Sequence, residues 1–128
     1  TIRHTHPLRP TVAGGAAAAR EWMQRRTSAV IAHNDLMAMG FMIAVKSVGI
    51  EVPRDVSVVG TDNIFMSALF TPALTTVTTS RNTQGKLAFN QLLEQLRHQH
   101  RDTGHLTTSI AMKLVERDST AQVPSLHR

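Results

Sequence analysis

Between Ser28 and Asp62 the pattern of apolar and polar positions changes rhythm twice. Ala29 to Ala32 and Val56 to Val59 are apolar on successive residues, whereas Leu36 to Val48 between them is apolar at helical spacing. Short apolar runs flanking a helix predict a strand, helix, strand crossover, and runs without alternation predict strands covered on both faces of a parallel sheet. The helix has legible ends. Asn34 and Asp35 precede Leu36 and offer side-chain oxygens to the free N–H groups of the first turn, while Gly49 stops the helix as a left-handed residue, with Pro53 following. In open parallel sheets ligands bind outside the carboxyl ends of the strands. Asn34 and Asp35 leave the first strand at that end and Asp62 and Asn63 leave the second, so two polar clusters are expected to converge on one rim.

The flanking segments extend the same α/β pattern. Thr11 to Arg26 predicts a helix with Thr11 as N-cap; Gly14 and Gly15 are expected to allow close backbone packing, because no strand precedes them as a nucleotide-binding loop requires. Ile64 to Phe70 reads as a short helix or loop. Thr75 to Thr79 is a third strand, which delivers Ser80, Arg81 and Asn82 towards the rim. Asn82 to Leu96 is an amphipathic helix with Phe89, Leu92, Leu93 and Leu96 on one face, ending near His100. His98 to Gly104 is a polar loop, Ser109 to Val115 a last strand, and Glu116 to Arg128 a tail. The helix from Leu36 to Val48 is apolar around nearly its whole circumference, so the face of Met39 and Met42 requires another helix or a second protein chain.

Composition narrows the function. Zero Cys excludes disulfides and thiolate metal sites, and the ordinary balance of 41% hydrophobic to 18% charged residues is that of a globular chain. The net charge of +5 raises nucleic-acid binding, but Lys and Arg are scattered without a stripe on any helix and no helix-turn-helix is legible. No stretch has the length of a membrane span or the core of a signal peptide, which fits a cytoplasmic protein. Thr1 in place of Met suggests a piece of a longer protein.

Candidate chemistry is sparse. His4 with His6, and His98 with His100, have no carboxylate or third His nearby, so no metal is expected. No nucleophile elbow, phosphate loop or paired catalytic carboxylates occur, and no cofactor is implied. Asp35 and Asp62 are as easily a helix cap and a turn former as an acid and a base. What remains is a rim of amide, carboxylate and guanidinium groups, which suits a polyhydroxylated ligand: mispaired buried polar groups are costly, and that cost gives discrimination. Binding is favoured over catalysis, and the chain is not read as an enzyme.

Four stretches then carry a resemblance. HNDLMAMG, VGIEVPRDVSVVGTDN, PALTTV and VERDST, in this order and spacing from about Thr11 to Ala121, resemble the effector-binding core of LacI/GalR bacterial transcription regulators. The resemblance implies a two-lobed fold like the periplasmic sugar-binding proteins, with effector between the lobes and operator binding by an N-terminal helix-turn-helix head that this chain lacks. Residues 1–128 would be the C-terminal part of that core, a partial lobe with a parallel sheet flanked by helices. The helix at 82–98 would be a crossover that packs on the missing lobe. Asn34 and Asp62 match effector-contacting positions, Arg81 falls where the chain crosses between lobes, and Pro10 stands where many members carry an aromatic ring. Met39, Met42 and Phe70 match the surface through which family homodimers pair. A periplasmic-type sugar-binding protein without a DNA role is the alternative, and a small α/β hydrolase a third reading.

Overall fold

The computed structural model describes residues 1–97 and 107–122. In chain order the elements are helix α1 (Val12–Gln24), strand β1 (Ala29–Ile31), helix α2 (Asp35–Ser47), strand β2 (Ser57–Thr61), helix α3 (Phe65–Leu69), strand β3 (Thr75–Thr78), helix α4 (Arg81–Arg97) and strand β4 (Lys113–Val115). The sheet has the order β1-β2-β3-β4. β1 pairs parallel with β2, Val30 opposite Val58, and β2 pairs parallel with β3, Gly60 opposite Thr76. The α/β reading and the crossover are therefore present, with boundaries shifted by a residue or two. The expected last strand is shorter than Ser109 to Val115, and the His98 to Gly104 loop lies outside the described residues.

Two compact units are formed. Thr1–Thr78 with the segment from Leu114 onward is one, and Thr79–Lys113 is the other. The core of the first unit gathers Trp22 and Ala19 from α1, Ala38, Phe41 and Val45 from α2, and Val58 and Leu74 from the sheet region. Trp22 and Phe41 meet edge to face with centroids 5.4 Å apart, a favoured aromatic arrangement.

Glycines set how closely α1 and α2 approach. A methyl group on Gly15 would overlap the Met37 carbonyl, and one on Gly40 would overlap the Val12 carbonyl. Position 12 is thus opposite 40 and 15 opposite 37, an antiparallel pair in backbone contact. The role expected for Gly15 is the one it has, and Gly14 lies likewise against the Arg9 carbonyl.

The caps agree with the sequence. Thr11 accepts from the Gly14 N–H, and α2 ends at Gly49, φ 79°, with Gly49 N–H donating to Lys46 O and Ile50 N–H to Val45 O. That pair of bonds is a Schellman ending, which needs a left-handed residue and so favours glycine. The turn into β2 is closed by Asp55, whose carboxylate accepts from the Glu51 N–H at 2.8 Å; the bonded Arg54 guanidinium, and next the Glu51 N–H, hold its pKa below the usual carboxylate value.

One expectation is corrected. The sheet is parallel but not covered on both faces at β1, where Ile31 is 80% exposed and Ala29 is exposed as well. α1 and α2 lie on the side of Val30 and Val58. An unbroken apolar run reports that a strand can be buried on two faces, not that both are covered within the same stretch of chain.

Candidate functional site

Because β1, β2 and β3 run parallel, the turns that follow β1 and β2 leave the sheet at the same edge, as the candidate rim requires. Asn34 follows β1 and caps α2: its Oδ1 accepts from the Met37 N–H at 2.9 Å and its Nδ2 donates to the Pro10 carbonyl at 3.1 Å. Both ends of the amide are thus oriented by the fold. One N–H of the amide group and a second lone pair of Oδ1 remain for a ligand.

Asp35 departs from its expected part. It is the first residue of α2 rather than its cap, and its carboxylate is fully buried. Oδ2 accepts from the Ile64 N–H at 2.9 Å and from the Ser67 hydroxyl at 2.5 Å, and Oδ1 accepts from the Thr76 hydroxyl at 2.6 Å. A buried carboxylate is tolerable only when its oxygens meet donors. Asp35 is therefore a cross-link between α2, the start of α3 and β3. Gly60 of β2 lies directly against it, since a Cβ there would overlap Oδ1.

Asp62 and Asn63 form the second turn, and both have left-handed backbone, with φ 111° and 50°. Such conformations are rare outside glycine, least so for Asp and Asn. Four contacts hold this one. The Asp62 N–H donates to Val77 O at 2.9 Å, the Asn63 N–H to Thr76 Oγ1 at 3.3 Å, the Ile64 N–H to Asp35, and Arg117 Nη2 to Asn63 Oδ1 at 2.7 Å. Arg117 also donates through Nη1 to Leu74 O at 2.7 Å. The segment carrying it is fixed by Ser119, whose hydroxyl donates to Val58 O at 2.6 Å and accepts from the Thr75 N–H at 2.8 Å. Asp62 itself is exposed.

The other assigned residues distribute differently. Arg81 opens α4 in the second unit and is exposed, so the site described here is built from first-unit residues alone. Met39 and Met42 are 5% and 3% exposed and belong to the core of this chain, so little of their surface is left for a second copy. The apolar excess of α2 reaches solvent instead at Leu36, Ile43 and Val48. Met42 and Phe70 do share a groove of about 430 Å³ with Ile43, Lys46, Ile50 and Pro72. His6 bonds to Glu21 through its backbone N–H at 3.3 Å, and among the described residues no three metal-ligating side chains are grouped. His98 and His100 lie outside the described residues. Also among the described residues, no helix is long and apolar enough to cross a membrane.

Thr76, Ser67 and Arg117 were not singled out from sequence. The hydroxyl-rich strand TTVT and the acid that follows Asn34 were the available signals, because a buried carboxylate at the edge of a sheet needs donors from the neighbouring strand.

Residues 2–120 match the family model described as a periplasmic binding protein-like domain. The chain belongs to the periplasmic binding protein-like family. Within it, the likeness is to the effector-binding core of LacI/GalR regulators, as the motifs implied. The repressors PurR of Edwardsiella ictaluri and of Proteus mirabilis are 40% and 41% identical over 101 residues, 79% of this chain. These 101 residues are only 29% of either repressor. Both relatives are transcriptional repressors. Among solved structures, a LacI family regulator from Enterococcus faecium with bound ribose superposes with a TM-score of 0.79 at 26% identity, covering 91% of this chain and 43% of that one. One from Arthrobacter sp. FB24 in complex with lactose gives 0.77 at 29% identity, covering 89% and 43%. The chain therefore spans under a third of these repressors and less than half of these LacI family chains.

Proposed function

We propose that this chain is the C-terminal part of the effector-binding core of a LacI/GalR-type transcriptional regulator, and that its rim binds a small polyhydroxylated ligand. The observation that carries the reading is the pair of polar turns at one edge of a parallel sheet, one presenting an exposed Asp62 on a strained and clamped backbone. A carboxylate accepts from two adjacent hydroxyls, and the Asn34 amide, fixed by its cap and by Pro10, donates and accepts beside it. Ribose and lactose in two LacI family structures support a sugar-like effector.

In the whole protein, ligand binding in the cytoplasm shifts the balance between two arrangements of the core, and the shift alters operator affinity of a DNA-binding head outside this chain. Homodimerisation engages exposed Ile43 together with Phe70, which line the same groove. The repressor relatives favour this over a periplasmic transport protein.

The test is a thermal-shift screen of the chain and of the longer protein against pentoses, disaccharides and related metabolites. A ligand that raises the melting temperature through the native state should lose that effect in Asp62→Asn, which keeps the turn but removes the charge. A loss of at least about tenfold in affinity, roughly 1.4 kcal/mol, is expected for a carboxylate bonded to ligand hydroxyls. Equal binding by the variant would overturn the site.

A further inference from the structure

We infer that Thr76 is a positioning residue: its hydroxyl, polarised by the buried Asp35, sets the backbone of the Asp62-Asn63 turn and so aims Asp62 at the ligand. The inference rests on the proposed role of Asp62 and adds the device that gives the carboxylate its direction. A threonine hydroxyl has one hydrogen and two lone pairs. At Thr76 the hydrogen is drawn to Asp35 Oδ1 at 2.6 Å, which leaves a lone pair directed at the Asn63 N–H, 3.3 Å away. The same carboxylate takes the next amide, that of Ile64, at 2.9 Å on its other oxygen. Three consecutive N–H groups, Asp62 to Val77 O, Asn63 to Thr76 and Ile64 to Asp35, are therefore held by β3 and by the buried acid.

That arrangement explains why two successive non-glycine residues accept left-handed backbone. Conformations of this kind persist where the surroundings over-determine them, and they concentrate at ligand-binding turns. Thr76 and Asp35 are both fully buried, so neither touches a ligand; each acts through the turn. On the outer side Arg117 holds Asn63 Oδ1 and completes the clamp.

The experiment is amide hydrogen exchange by NMR on the full chain, comparing Thr76→Val, which is close in shape and lacks the hydroxyl, with Thr76→Ser, which keeps it. Exchange at Asn63 and Ile64 should quicken by about tenfold or more in Thr76→Val, above any change shared by α1 and α2, and return to within about twofold of the parent in Thr76→Ser. Asp62→Asn should leave exchange at both amides as in the parent, which separates this device from the question of what Asp62 binds. A uniform acceleration across the chain in Thr76→Val, unchanged exchange at 63 and 64, or failure of Thr76→Ser to restore it would overturn the inference. Should Thr76→Val not fold, the unaltered chain decides: the Thr76 hydroxyl proton should be visible at low temperature, slow to exchange and shifted downfield by its carboxylate acceptor, and its absence would count against the inference.

Discussion

Asp62 has a backbone better suited to glycine, a side chain open to solvent, and a neighbour, Asn63, with the same left-handed habit. A non-glycine residue in such a conformation costs about 1 kcal/mol or more. Asp62→Gly should therefore stabilise the chain by about 1 kcal/mol, close to 4 °C in Tm by circular dichroism, while abolishing the ligand-induced shift. A fall in Tm would mean that the conformation is not strained. Gain of stability with loss of binding is the signature of a residue kept for contact. Asp35 illustrates the opposite division. It adjoins Asn34 in sequence, but its side chain is directed into the core, where hydroxyl and amide donors meet it. From sequence the two neighbours looked interchangeable as caps, because the local signal shows that a cap exists and not which of two adjacent polar residues turns inward.

At the scale of elements, the contact between α1 and α2 is the most exacting in the first unit. Gly15 and Gly40 each face a carbonyl of the other helix, and no side chain yields at that point. Gly40→Ala should destabilise by about 3 kcal/mol, at the upper end of overpacking effects, measured as a lower urea midpoint at unchanged m. A midpoint equal to the parent's would show that the helices separate without cost. The elements themselves were largely legible: the strand runs, the Thr11 and Asn34 caps and the Gly49 stop came from residue types with a defined local role. What the pattern concealed was the occupant of each face. The circumferential apolar surface of α2 called for another helix or a second chain at Met39 and Met42; both are buried within this chain, and the residues left in solvent are Leu36, Ile43 and Val48. Periodicity counts apolar positions on a helix, while close glycine contacts decide how many of them one chain covers.

On the scale of the molecule, two units are present, and in each some apolar surface is exposed. Ile31 on β1, Phe65 and Leu69 on α3, and Phe89, Leu92 and Leu96 on α4 are all open. The relatives are more than three times as long as the matched stretch, and what these faces meet was not legible here. What was legible was the edge of the sheet: like-directed strands bring the turns after β1 and β2 to one side, and that much follows from the crossover alone. The central claim is that this edge holds the effector. Its most direct test is a crystal structure of the longer protein with a ligand identified by thermal shift. Ligand hydroxyls should lie within about 3 Å of the Asp62 carboxylate and the Asn34 amide. Ligand bound elsewhere, with both side chains untouched, would contradict the account.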